Sequence, residues 1–276
     1  MNAKELTLRV VRLDDVLLHE QIEKKRVERL IQRLKEDHLL KNPPVVSEYN
    51  AKFILLDGAT RITALKQIGC RDVVVQVVDY EAPGMALETW NHMLLDAPVD
   101  ELFTSLRSVA GLKIDRTGAA SASAALERRD AIATLLLADG QAYALRTADD
   151  GKLEQQAKLL NQVAAAYEGR GQMYRVAHTD VERLHAEHGQ LSALFVFPRY
   201  RPDEIRRLAL NGAKLPMGVT RHIIPGRALR INIPLDVLTR DDPIEKKNVW
   251  LDEWMKARMR ERSVRFYQEP VFLFDE

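Results

Sequence analysis

The chain has 276 residues, and its 41 Lys plus Arg nearly cancel 40 Asp plus Glu. That length fits two domains with a sizeable core, and the charge balance lacks the basic footprint of a dedicated nucleic-acid binder. A single cysteine, Cys70, excludes an internal disulfide and a cysteine-based zinc site. No charged-then-apolar leader opens the chain, and its longest apolar runs, such as "IATLLLA" and "LSALFVF", fall far short of the roughly 18 to 20 residues that span a bilayer. A reduced, cytoplasmic protein without membrane segments is expected.

Residues 7–18, "TLRVVRLDDVLL", mix β-branched and aliphatic positions and predict a strand or extended lead-in. A loop at His19-Glu20 follows, then an amphipathic helix in which Val27, Leu30, Ile31 and Leu34 recur at helical spacing. "NPPVVSEYNAKFILLDG" predicts two short strands around a polar turn, with Pro43 and Pro44 excluding helix at the join, and this hairpin delivers Asp57. "ATRITALKQIGC" places Ile62, Leu65 and Ile68 on one helical face with Gly69 as C-cap, and "DVVVQVVDY" reads as a buried strand. "ALETWNHML" reads as the start or middle of a helix carrying Trp90, Asn91 and His92.

Charged and Ala/Ser-rich helical text over 95–130 sets a boundary near 97, dividing the chain into 1–96 and 97–276. Beyond it come a hairpin, "ATLLLADGQAYALRT", turning at Asp139-Gly140, a helix to Tyr167, a strand near "MYRVA", another helix and the strand "SALFVFPRY". The tail from Asp241 to Arg265 reads as a solvated helix. The fold class is mixed α/β in both halves, with no fixed-period repeat.

Asp57-Gly58-Ala59-Thr60-Arg61 is the first constellation that could carry chemistry. The N–H groups that open a helix lack intrahelical partners, and the helix dipole favours an anion there. Gly58 and Ala59 leave room for close approach, Thr60 offers a hydroxyl, and Arg61 offers a planar fork for phosphate oxygens. Asp-Gly is also a routine turn and Thr a routine cap. Glu20 is either a favourable acid near a helix N-terminus or a carboxylate that handles a proton. A loop carboxylate paired with a phosphate-cradling turn is what phosphoryl transfer requires. Near the C-terminus, "PMGVTRHIIPGRALRINIPL" concentrates Thr220, Arg221, His222, Arg227 and Arg230, either as solvated arginines on a β-segment or as guanidinium groups for a carboxylate.

His19-Glu20, "LLKNPPVV" and "LLDGATRITALKQIG", in this order and spacing, resemble the ParB/sulfiredoxin-like domain, and within that group the free L-serine kinases, archaeal and SbnI-like. The clear similarity covers about residues 7 to 95, and a second match lies in the C-terminal half. The resemblance implies a ParB/sulfiredoxin-like nucleotide-binding catalytic domain followed by an α/β domain that completes the substrate site. It implies phosphoryl transfer from ATP or ADP, with Mg2+, to the hydroxyl of free L-serine, giving O-phosphoserine for cysteine or siderophore synthesis. Glu20 would accept the hydroxyl proton, Asp57 would lie near the metal, and Gly58, Ala59, Thr60 and Arg61 would hold the phosphates. Lys41 and Asn42 would reach nucleotide or phosphoryl oxygens. Trp90, Thr220, Arg221, His222 and Arg230 would line the serine side.

Relatives of that wider group also act as DNA partition clamps, nucleases and sulfinic acid reductases. This chain lacks the Gly-Glu-Arg-Arg box and following helix-turn-helix of a partition protein. Ala59 stands where a sulfiredoxin carries its cysteine, and Cys70 is expected to be an inert packed thiol. P-loop and protein-kinase motifs are absent. A ParB-like nucleotide-binding regulator or DNA-associated protein without kinase activity remains the alternative. No membrane or nucleic-acid partner is expected, and a homodimer is compatible with the sequence.

Overall fold

The computed structural model describes residues 6–148 and 151–265. The chain forms two compact units, neither continuous in sequence. The first takes the chain up to Leu18, Ile22–Ala86 and the chain from Ile223, and the second takes His19–Gln21 and Leu87–His222. This division differs from a single cut near 97, because the C-terminal stretch pairs and packs with N-terminal strands rather than with the middle of the chain.

In the first unit, β1 (Thr7–Arg12), β2 (Val16–Leu17), β4 (Val45–Tyr49), β5 (Lys52–Asp57) and β6 (Asp72–Val77) form a sheet in the order β1-β6-β4-β5-β2. β1 and β6 are antiparallel from Thr7↔Val77 to Arg12↔Asp72, β4 and β5 form the expected hairpin, and β4 runs parallel to β6. Two helices, α1 (Lys24–Asp37) and α2 (Ala59–Gln67), cover it: Val27 and Leu34 from α1 and Ile62 and Leu65 from α2 share one core with Val73, Val74 and Val75. Cys70 is buried in that core, where burial pushes its thiol up to about 11, so it stays protonated and unreactive. Short strands β3 (Leu39–Leu40) and β15 (Ile233–Pro234) pair antiparallel, tying the chain after Ile223 to this unit.

The second unit holds a six-stranded sheet ordered β12-β8-β13-β10-β11-β9. Its strands are β8 (Asn91–Leu95), β9 (Leu112–Thr117), β10 (Ala133–Leu137), β11 (Ala142–Thr147), β12 (Gln172–Val176) and β13 (Leu191–Val196). Helices α3 (Val99–Arg107), α4 (Ala119–Glu127), α5 (Leu153–Tyr167), α6 (Val181–His188) and α7 (Pro202–Leu210) complete it.

Two expectations fail in instructive ways. "ALETWNHML" is not a helix but two strands, β7 (Ala86–Thr89) and β8, joined at Trp90, whose N–H donates to the Val219 carbonyl at 2.8 Å. β8 is buried along its whole length and pairs on both edges, with β12 and β13, so sheet pairing overrides helix-compatible local text. The tail helix, α9 (Ile244–Arg260), is not solvated all round. Asn248 bonds both the N–H and the carbonyl of Val10, and Lys247 and Leu251 are buried.

Lys247 reaches Asp72 at 2.6 Å with both side chains 1% exposed, and Arg12 takes the other Asp72 oxygen at 3.0 Å. A buried charge without its partner is costly. Asp72→Ala should therefore lower stability by about 3 to 5 kcal/mol, read as a reduced denaturation midpoint at unchanged slope. The apolar pair Asp72→Leu/Lys247→Met should recover most of that loss.

Candidate active site

In the first unit, β5 ends at Asp57 and α2 begins at Ala59. Gly58 joins them at φ +106°, a left-handed conformation that a side chain would strain, and an added Cβ would lie 3.1 Å from the Arg61 guanidinium. No side chain caps α2, and the first helical acceptance is Ile62 N–H to Gly58 C=O at 3.0 Å. The amides of Ala59, Thr60 and Arg61 thus open the helix without intrahelical acceptors, the arrangement that suits an anion. Arg61 folds back over this turn: Nη2 donates to Asp57 Oδ2 (2.5 Å), and Nη1 to the carbonyls of Asn42 (3.1 Å) and Pro43 (2.7 Å). Arg227 Nη1 donates to the same Asp57 oxygen at 3.0 Å. Burial alone would push the Asp57 carboxyl upward, but the adjacent Arg61 and Arg227 guanidiniums outweigh it and hold the group below its ordinary value.

In the second unit, the backbone of residues 19–21 runs along Leu215. Leu215 N–H donates to His19 C=O, and Gln21 N–H to Leu215 C=O, both at 2.8 Å. This pairing presents Glu20 to the segment Gly218–Thr220. Glu20 Oε1 accepts from Val219 N–H (3.1 Å), Thr220 N–H (2.6 Å) and the Thr220 hydroxyl (2.5 Å), while among the described residues Oε2 accepts from Gly218 N–H alone (3.0 Å). Because the Thr220 hydroxyl gives its proton to Glu20, its contact with His19 Nε2 at 2.8 Å makes that nitrogen the donor. His19 is buried, and its ring meets His222 edge-on at 5.6 Å.

The donor segment is braced from behind. Gly218 has φ +68°, a left-handed conformation that favours glycine, and an added Cβ would come within 2.1 Å of the Arg175 guanidinium, which would have to shift. His92, buried in β8, contacts the Gly218 carbonyl through Nε2 at 3.3 Å and the Tyr167 hydroxyl through Nδ1 at 2.7 Å. Burial pushes its imidazole down to about 4, so it is neutral at pH 7. One tautomer meets both contacts: Nε2–H donates to the carbonyl and Nδ1 accepts from Tyr167.

The residues singled out in sequence fall into three groups. Asp57, Gly58, Ala59, Thr60 and Arg61 share the helix start, and Asn42 lies beside it, its carbonyl on Arg61 and its Oδ1 accepting Arg230 N–H at 2.8 Å. Arg230 thus belongs to the first unit, and Thr220–His222 to the second. Lys41 is exposed and pairs with Asp37 at 2.9 Å, as a surface lysine does. On β14 (Thr220–Ile223), side chains alternate. Thr220 and His222 turn to Glu20 and His19, whereas Arg221 pairs with Glu88 at 3.0 Å and covers the Trp90 ring at 4.5 Å. Thr220 and His222 thus join the Glu20 cluster, while Trp90 and Arg221 form a separate pair with Glu88. The sequence reading missed the bracing roles of His19, His92, Tyr167 and Gly218. Gly218, beside the Thr-Arg-His run, and His19, before Glu20, lay within motifs the sequence shows.

No family model matches the chain. It is 27% identical over 281 residues, covering all of both chains, to the ATP-dependent L-serine kinase SbnI of Staphylococcus aureus. It is 23% identical over 237 residues to an ATP-dependent L-serine kinase of Desulfurococcus mucosus, across 83% of this chain and 90% of that one. To the ADP-dependent L-serine kinase SerK of Thermococcus kodakarensis it is 22% identical over 233 residues, across 83% and 91%. Among solved structures, C-terminally truncated SbnI from Staphylococcus aureus superimposes with a TM-score of 0.73 at 24% identity, covering 91% of this chain and 97% of that one. A free serine kinase in complex with AMP gives 0.72 at 20% identity, covering 84% and 93%. The likeness carried by the motifs thus extends along the chain, and the fold is shared.

The doubly paired Asp57 makes a measurable pH dependence. Its stabilising effect is present above the unfolded value of about 3.9 and is lost as pH falls through the lower folded value. Arg61→Ala should raise the Asp57 value in a carboxyl NMR titration, and Asp57→Asn should flatten that acid limb of the stability curve.

Proposed function

We propose that the chain is a cytoplasmic free L-serine kinase that moves a phosphoryl group from ATP or ADP to the serine hydroxyl, supplying O-phosphoserine for cysteine or siderophore synthesis. The observation that carries the reading is the hydroxyl of Thr220 donating to Glu20 Oε1 at 2.5 Å, which displays the contact a serine hydroxyl must make with a general base. A ParB-like regulator without kinase activity is not favoured, since the relatives matched over most or all of their length are serine kinases.

The two Glu20 oxygens differ. Oε1 already takes three donors and Oε2 one, so Oε2 has the acceptor capacity to receive the substrate proton. The hydroxyl oxygen then attacks the terminal phosphorus, the bond to the leaving nucleotide breaks, and the nucleotide departs with the electron pair. Thr220 and His222 lie on the Glu20 side of β14 and are assigned to the serine side. The free amides of α2 and its dipole stabilise phosphate charge. Among the described residues no cluster of three or more His, Cys, Asp or Glu could hold a metal. Asp57 would be the carboxylate beside Mg2+ carried by the nucleotide phosphates, a common mode for this ion. When bound, Mg2+ would neutralise charge on the phosphates.

The direct test is incubation with free L-serine, Mg2+ and either nucleotide, followed by detection of O-phosphoserine; absence of product with both nucleotides overturns the reading. Glu20→Gln keeps size but cannot take the proton, and its amide group faces one of the backbone N–H donors. Turnover should fall roughly 10²- to 10⁴-fold, with nucleotide affinity and circular dichroism retained. Near-parental turnover in folded Glu20→Gln protein would remove Glu20 as the base.

A further inference from the structure

Gln76 lies within the valine-rich strand β6 and is only 3% exposed. Both ends of its amide are engaged: Nε2 donates to the Gly226 carbonyl at 2.9 Å, and Oε1 accepts from Ala228 N–H at 2.8 Å. These backbone groups lie on either side of Arg227, so one buried side chain holds both flanks of that residue. The same stretch is fastened at further points within the first unit. Pro225 packs against Gly84, where an added Cβ would come within 3.1 Å of the proline ring. Arg230 N–H bonds Asn42 Oδ1 at 2.8 Å, and Asn232 N–H bonds the Lys41 carbonyl at 3.3 Å.

What this fastening presents is a guanidinium. Among the described residues, Arg227 makes one side-chain hydrogen bond, Nη1 to Asp57 Oδ2 at 3.0 Å. Stability gives a weak reason for the arrangement, because a surface ion pair contributes little in water, whereas a buried amide has to satisfy both its ends to be tolerated. Arg61 offers the contrast. Its three bonds, to Asp57 and to the carbonyls of Asn42 and Pro43, make it a staple for the turn. Asp57 therefore carries two guanidiniums on one carboxylate oxygen, which leaves a positive charge in excess at the start of α2. Arg227 is the more exposed of the pair and the one with donors to spare.

We infer that Arg227 contacts the nucleotide phosphates at the start of α2, and that Gln76 is the positioning residue that aims it. The inference rests on the nucleotide-binding reading above. A planar fork held beside free helix amides can take two phosphate oxygens at once, which a lysine cannot do.

Calorimetric titration with ADP, alongside kinetics with serine, tests it. Arg227→Ala should weaken ADP binding by roughly 10- to 100-fold, leave the KM for serine and the circular dichroism spectrum unchanged, and shift the melting temperature at most slightly, as loss of a surface ion pair does. Arg227→Lys should recover only part of the affinity. Gln76→Met should also weaken ADP binding, and the double variant should bind no worse than Arg227→Ala alone, because Gln76 acts through Arg227. ADP affinity unchanged in Arg227→Ala, in an enzyme that still makes O-phosphoserine, overturns this inference and leaves the kinase reading intact. Additive losses in the double variant overturn the positioning role of Gln76. A parent protein that binds neither ADP nor ATP overturns both readings, whereas loss of ADP binding in Arg227→Ala of a parent that binds ADP but makes no O-phosphoserine supports the Arg227 site alone.

Discussion

The carboxylate of Glu20 meets three consecutive amides, Gly218, Val219 and Thr220, from almost two hundred residues away in sequence, and much of the second unit is arranged to hold that meeting. Amides converge on an anion only if the backbone turns sharply, and here Gly218 takes the left-handed conformation that makes the turn. The carbonyl side of that turn needs its own partner, which His92 supplies, and His92 in turn takes the Tyr167 hydroxyl. A buried polar chain of this kind is tolerated because each member is bonded. Its consequence for chemistry is a carboxylate fixed in orientation by neutral donors.

Asp57 is held in the opposite way. Two guanidiniums neutralise it and depress its carboxyl, so it is a poor proton acceptor and a good organiser of charge. Glu20 is instead met by the Gly218, Val219 and Thr220 amides and the Thr220 hydroxyl. Two carboxylates, one bonded by peptide dipoles and one by arginines, are thereby suited to two tasks, which is how acid and base roles are separated by environment rather than by residue type.

The long-range fastening also explains the interrupted sequence of the units. α9 is anchored by a buried Lys247–Asp72 pair and by Asn248 on the backbone of β1, and β15 pairs with β3. A chain that returns to its first sheet after a long excursion can place a late segment, the stretch around Arg227, beside an early turn. Gln76 is the residue that makes this placement specific, through bonds to Gly226 and Ala228.

Local chemistry alone determined a good deal. The α1 stripe of Val27 and Leu34, the hairpin ending at Asp57, the Gly58 turn into α2 and the valine strand β6 follow from spacing, turn residues and apolar runs, which act over a few neighbouring residues. Glu20 and the Asp57–Arg61 turn were legible for the same reason: each is a short motif at an element boundary. Only the tertiary structure decided that "ALETWNHML" is strand, because its backbone groups are claimed by β12 and β13 on both sides. It alone parted Arg221 from Thr220 and His222, since adjacent residues on a strand face opposite ways, and it alone set Arg227 against Asp57. Those outcomes depend on which distant backbone groups meet, and no local preference encodes that.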